Sequence, residues 1–585
     1  MLQTLSFASY KDNFFLNKDE GLLVLPKATP EFHAHIKAEK EFMCARERKG
    51  TDQASGKCIG CEAPRREAGM ALFPESEEPR LFVCEECVKT AIEKATHEKQ
   101  CPCGVWEGFK SLMDEHSKKA SRKKEEATDA ILRQAETQNV FSLEASLGNR
   151  FVFLNAQTTV LLENTEIHIG LFFDLLSKTR VSVGRGFSVS GNSMDIKQGG
   201  VFSLGPPGKG GRLFVENVKK IPPKSIVYTD RSIFFDGHAV GLFPKLRING
   251  NREMGVLSLC AEEKEQVLEI TEEEDNSIDA GRVSIIVLKH YAVNALPKLR
   301  QKEHNVVQVL SLEAGKKDHV AAMVGETNSI CIGRTSELFL GGYAAGVLPR
   351  LAVSEDNLMR VFEVDADREE QLAAVLGEEN STVDMGALGA IALKNHAVSI
   401  LAKLKLREDC TIKKLSLSAD KEEQIAAVLR TEKNSIAVGG VREVKLVGYA
   451  IGVLPKLKIR EDNVMEKLLA VVEEEHQKEA ILGTEDCSID VGVVLNMTLV
   501  SYAAAILPKL RTREDRTMEW FCIHALKKED ILKTFGAENK AVNVGRIKRK
   551  GFFVSAEVEP MLKYVLVDEE RAGGLDGEWD AIDAS

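Results

Sequence analysis

The sequence predicts an α+β protein, with a small cysteine-rich, metal-binding module followed by a tandem array of about seven β-α-β-β-α units. Three observations predict it. Seven of the twelve cysteines fall between Cys44 and Cys103, and four of these form C-x2-C pairs. A proline phrase such as "YAIGVLPKLK" returns at steps of 52 or 53 residues, with Pro244, Pro297, Pro349, Pro455, Pro508 and Pro560 in phase and Ala402 in the vacant place. A glycine keeps the same step at Gly281, Gly333, Gly386, Gly439, Gly492 and Gly545, usually closing a phrase such as "NSIDAG". Two markers in phase signal a repeat architecture.

One unit, Thr411 to Asn463, can be read element by element. "IKKLSL" alternates apolar and polar residues and predicts a strand. "DKEEQIAAVL" predicts a helix, with Asp420 as N-cap and Glu423 completing a capping box. "SIAVGG" predicts a short strand and "VREVKLVGYAI" a longer one. A second, short helix should start three residues before the proline, at Gly241, Asn294, Gly346, Ser399, Gly452 and Ala505. The proline then falls in the first turn, where its missing N–H costs nothing. A unit of about 53 residues is too small to bury a core alone, so the units should stack on one another as solenoid repeats do.

The chain has 585 residues and divides on this reading into an N-terminal segment (1–50), the metal module (51–104), a helical linker (105–137), a divergent repeat-like segment (138–200), the array (201–567) and an acidic tail (568–585). The net charge of −11 argues against a general nucleic-acid binder, which presents a basic face. The start "MLQTLSFASYKDN" lacks a secretory pattern, and no run reaches the roughly 18 apolar residues of a membrane span. The expectation is an intracellular, cytoplasmic chain. "KKASRKK", before the array, adds the nucleus as a second compartment. Cys260, Cys331, Cys410, Cys487 and Cys522, scattered singly, are expected as buried thiols.

Paired cysteines at this spacing in an intracellular chain point to metal before disulfide. Cys58, Cys61, Cys84 and Cys87 supply four thiolates, the number that tetrahedral zinc takes. "CIGCEAP", "FVCEEC" and "CPCG", spanning Cys58 to Gly104, resemble the opening and close of the RING-finger family. The resemblance implies that the Cys58/Cys61 and Cys84/Cys87 pairs share one zinc. It also implies that Ile59, inside the first knuckle, contacts a ubiquitin-conjugating enzyme. This sequence departs from the family in three ways. No cysteine–histidine pair precedes Cys84, the last pair is Cys101-Pro102-Cys103, and glycine (Gly104) follows where a basic residue is common. His97, Cys101 and Cys103 offer three ligands for a second zinc, with Cys44, His33 or His35 as the fourth.

Other motifs carry less. "GPPGKGG", Gly205 to Gly211, looks like a phosphate loop, but Gly-Gly-Arg follows its lysine where Ser or Thr is needed, and it reads as a turn. Neither G-x-S-x-G nor H-E-x-x-H occurs. The Tyr or His that opens each proline phrase reads as a packing position, and the "RED" phrases at Arg407, Arg460 and Arg513 as charged turns. The expected function is a non-enzymatic scaffold that binds other proteins through the array, with zinc as a structural cofactor. The second reading is a RING-type ubiquitin ligase that uses the array as its substrate receptor. Such a ligase positions a charged conjugating enzyme and needs no nucleophile of its own.

Overall fold

The computed structural model describes residues 7–29, 70–71, 83–84, 129–190, 202–204, 209–248, 253–300, 305–324, 329–511, 516–524 and 541–568. The chain is mixed α/β and falls into two compact units: Met1–Asn192 with Pro207–Ile226, and Ser193–Pro206 with Val227–Ser585. Among the described residues no helix is long and apolar enough to cross a membrane.

In the first unit, Phe7–Tyr10, Asn13–Lys18 and Gly21–Pro26 form an antiparallel meander, and Val152–Asn155 pairs with its third strand. Phe14, Leu16, Leu23 and Leu25 bury one face of this meander. The helix Ile169–Lys178 is capped by His168, whose Nδ1 accepts from the Gly170 N–H at 3.1 Å. It packs on the helix Lys209–Lys220, Phe173 against Phe214 at 6.0 Å. Asn217 clamps the end of the first helix: its amide donates to the carbonyls of Leu176 and Thr179, and its carbonyl accepts from the Val181 N–H. "GPPGKGG" is therefore not wholly a turn, since Gly210 and Gly211 lie in this second helix.

Among the described residues, the second unit is organised by one sheet of sixteen strands. Along its main path the strands follow chain order and pair in parallel, from Phe202–Leu204 through Thr411–Ala419 and Ile436–Gly448 to Phe552–Phe553. Val256 pairs with Ile285, and Ile285 in turn with Val309 over a shorter stretch of chain. One step of the sequence repeat thus contains two turns of chain of unequal length, each laying down one rung. The expected mixture of helix and strand holds, and the large sheet is parallel along its main path. Parallel neighbours cannot be joined by a tight hairpin, so every rung is followed by a crossover. Inward residues such as Leu257, Leu288, Leu310, Leu338, Leu415 and Leu446 are fully buried. Each such side chain contributes about 1.5–3 kcal/mol of burial free energy.

The crossovers explain the repeated phrases and correct three local expectations. The proline does not open a helix. In every copy but the one around Pro560, the phrase forms a 3-10 helix that starts at its Tyr or His, such as Tyr449–Lys456, where Pro455 is the next-to-last residue. The 3-10 backbone angle suits the proline ring, and the Leu457 N–H closes the turn on the Leu454 carbonyl. The residue before the phrase takes a left-handed φ of 55–64° in Gly237, His290, Gly342, Asn395, Gly448 and Ser501. Asp420 is not the N-cap of the other helix, and Glu423 is not the residue that reaches back. Instead Gln424 accepts from the N–H groups of Asp420 and Lys421 at 2.8 and 3.1 Å. Gln266, Gln371 and Gln477 make the equivalent bond. "SIAVGG" and "VREVKLVG" form one strand, Ile436–Gly448, with a register shift next to Gly439.

The basic residue at the end of each phrase ties one crossover to the next. Lys403 and Lys456 donate to the carbonyls of Glu378 and Thr431, at 2.7 and 2.6 Å. Lys245, Lys298 and Lys509 pair with Glu269, Asp275 and Asp486. The glycine of the second marker sits at φ between 60° and 83° in all six copies. The N–H groups of Gly281, Gly386 and Gly492 donate to the Asp two residues earlier, which explains the "D-x-G" phrase.

At Gly492 a Cβ would lie 2.3 Å from the Asn463 carbonyl oxygen, at φ 76°. Gly492→Ala should destabilise the second unit by about 2–4 kcal/mol in urea unfolding, from left-handed strain plus the clash. Gly483→Ala has open space and ordinary φ, and should change stability by less than about 1 kcal/mol. In the first unit, burial raises the Asp174 carboxyl to about 6 from 3.8, against the opposing bond from Asn17 at 2.6 Å. A carboxyl raised on folding stabilises the native state while protonated. This contribution is present below about pH 4 and is lost as pH rises through about 6. Asp174→Asn should therefore raise stability at pH 7.5 by about 1–3 kcal/mol, and by much less at pH 4.5, measured by urea midpoints.

Candidate binding surface

Strand alternation sends every second residue of the large sheet away from the core. These outward residues are half-buried or exposed and line up in three rows across successive rungs. One row runs through Val256, Ile285, Val309, Glu337 and Val361, and later through Lys414, Glu443 and Lys467 to Asn496 and Trp520. The middle row includes Val287, Ser311, Phe339, Ser416, Lys445 and Leu469. The third carries Lys289, Glu313, Asp365 and Lys394, then Val447, Val471 and Val500.

The apolar residues cross this face obliquely. Val256, Ile285 and Val309 lie toward the strand starts in early rungs, whereas Val447, Val471 and Val500 lie toward the strand ends in late rungs. Charges fill the complementary corners. Lys289 and Glu313 are directly opposite and pair at 2.8 Å, and Glu313 raises the Lys289 pKa. Lys394 reaches Glu363 diagonally at 2.5 Å, and Arg360 pairs with Glu337. Exposed pairs of this kind add about 0–1 kcal/mol each, so they fix side-chain positions more than they stabilise. At the last rungs Trp520 and Phe553 stack at 4.2 Å and stay 40% and 46% exposed. Large aromatics left this exposed are the type of residue that anchors protein interfaces.

Cys260 lies on this face, and burial followed by the charge of Asp236 pushes its thiol up to about 11, so it stays protonated and unreactive near neutral pH. Of the five scattered thiols expected to be buried, Cys260, Cys410 and Cys522 are half-buried, but Cys331 and Cys487 are exposed. Cys487 takes the left-handed turn position (φ 54°) that Asn276, Ser381 and Asn434 take in other units, which places it at the surface. The Tyr or His that opens each phrase is half-buried in every copy except His396, which is buried. Of the "RED" phrases, Arg407 and Arg460 pair with Asp409 and Asp462 within their own exposed turns.

The metal module lies almost entirely outside the described residues. Cys58, Ile59, Cys61, Cys87, His97, Cys101 and Cys103 fall there. Cys84 lies on a described two-residue strand, Val83–Cys84, antiparallel to Met70–Ala71. Among the described residues, no three His, Cys, Asp or Glu side chains gather as a metal-binding group. The outward face was open to sequence reasoning in part, since the alternation that marks the strands also marks which residues leave the core. Which rows those residues join depends on register, which the repeat step alone does not give. The chain matches no protein-family model, no curated protein and no solved structure.

Proposed function

We propose that this protein is a non-enzymatic scaffold that binds other proteins along the outward face of its parallel sheet, with a zinc-held module near the N-terminus. The observation that carries this reading is the face itself. Rung after rung presents three outward positions, an apolar stripe crosses them obliquely as far as Val471 and Val500, and the exposed Trp520–Phe553 stack stands apart from it at the last rungs. Repeated surfaces of this geometry suit extended protein partners. In the module, Cys58, Cys61, Cys84 and Cys87 would hold zinc by the donor count and spacing of their two pairs, and His97, Cys101 and Cys103 offer ligands for a second ion. One specific feature favours a second reading as a RING-type ubiquitin ligase: Ile59 lies inside the first knuckle, where that family's contact with the conjugating enzyme falls. On that reading the same sheet face receives the substrate.

One experiment separates these readings. Affinity enrichment from the source cells compares the wild type with Val471→Arg/Trp520→Ala on the outward face and with Arg460→Ala in an exposed turn, and each purified chain is then incubated with ubiquitin and a panel of conjugating enzymes. The expected result is a set of proteins retained by the wild type and the turn variant, depleted at least about tenfold by the outward-face variant (the loss of one or two anchor residues), with no ubiquitin chains formed. Partners unaffected by the outward-face changes would overturn the assignment of the surface. Chain formation that is lost in Ile59→Ala would replace the scaffold with the ligase.

A further inference from the structure

Three side chains at the junction of two consecutive units depart from the residues at the equivalent positions elsewhere, and they meet. Before the proline phrase the other units place Gly237, Gly342, Asn395, Gly448 and Ser501, but here stands His290. Three residues before the proline position they place Gly241, Gly346, Ser399, Gly452 and Ala505, but here stands Asn294. Where Gln266, Gln371, Gln424 and Gln477 cap a helix start, here stands His319. The two imidazoles approach with ring centres 5.1 Å apart at 71°. Asn294 donates from Nδ2 to the carbonyls of Tyr291 and His319, at 2.9 and 2.7 Å, which leaves its Oδ1 free.

Each departure has a cost. His290 holds a left-handed backbone, φ 57° and ψ −129°, where other units use glycine, asparagine or serine. His319 is 3% exposed and gives up the glutamine's cap. Among the described residues, His290 Nδ1, both ring nitrogens of His319 and Asn294 Oδ1 are buried with no hydrogen-bond partner. Buried orphans of this kind call for a ligand, and grouped imidazole nitrogens beside an amide oxygen are donors for a transition-metal ion. The spacing fits as well. Two imidazoles bound to one tetrahedral zinc, with Zn–N of about 2.0–2.1 Å, put their ring centres roughly 5 Å apart.

We propose that His290, His319 and Asn294 form a binding site for one zinc ion between consecutive turns of chain, separate from the cysteine module, with water completing the coordination. Burial, then the neighbouring His290 and Lys316, lower the His319 pKa against the opposing pull of Asp318. Zinc held here would staple two adjacent crossovers together.

The test uses the full chain, stripped with chelator and titrated with zinc sulfate. Bound zinc is counted by native mass spectrometry for wild type, His319→Gln and His290→Gly. Both substitutions install a residue that other units use, and circular dichroism checks that each variant folds; either one alone suffices for the comparison. The wild type should bind one zinc more than each folded variant, and excess zinc should raise its thermal midpoint by several degrees more than theirs, roughly as binding linkage requires. Cobalt in the extra site should give weak visible bands without the strong near-ultraviolet absorption of thiolate ligation. Equal stoichiometry and equal midpoint shifts in all three chains would overturn the proposal and leave a water-filled polar pocket.

Discussion

The parallel pairing of successive strands is the constraint on which the second unit depends. A parallel strand finds its partner only after the chain has crossed back to the same end of the sheet. Every rung therefore needs a crossover, and every crossover must bury enough apolar surface to hold its place. The 3-10 phrase does this with a nearly continuous buried run, Ala450 to Pro455 in one copy. The left-handed residue before the phrase makes the corner, and the basic residue near its end reaches a neighbouring crossover. The glutamine that caps the other short helix, the Asp-x-Gly turn and the positive-φ glycine act at the remaining corners. None of these devices stabilises a rung by itself. Together they leave the inward leucines one packing arrangement, and each strand gains hydrogen-bond partners on its neighbours.

Much of this is legible in the sequence, because corner residues are the ones that backbone geometry restricts most. The proline phrase and the glycine marker set the step, and alternation in "IKKLSL" marks which residues face the core. Three things are not legible, each for a physical reason. By α-helix rules proline belongs in a first turn, but here it sits near the end of a 3-10 turn, where its φ is equally at home. Asp420 and Glu423 look like a cap and its partner, yet it is the Gln424 amide, one residue further on, that accepts from the Asp420 and Lys421 N–H groups. The register is hidden because each repeat step divides into a longer and a shorter turn of chain, as in the path from Val256 through Ile285 to Val309.

For function, the array's regularity is useful mainly as a background. Where every unit agrees, a residue serves the fold. Where one place in the array departs from its equivalents and bears a cost for it, a further role is indicated, as at His290, Asn294 and His319. The outward face works differently. It varies from rung to rung because packing does not constrain it, so its oblique apolar stripe and the Trp520–Phe553 stack carry the individuality that recognition needs. The cysteine pairs remain legible as chemistry through donor count and spacing alone.

The most direct test of the account is a cross-link between rungs. Ser416 and Lys445 are Cα partners on adjacent strands, well separated in sequence, and both point outward. Parallel neighbours lie about 4.8 Å apart, within the range a disulfide spans. Mild oxidation of the Ser416→Cys/Lys445→Cys chain should join the two peptides, identified by mass spectrometry. Ser416→Cys/Leu469→Cys, placed two rungs apart, should stay unlinked. Efficient linkage of the second pair, or none of the first, would contradict the parallel stack and the face built on it.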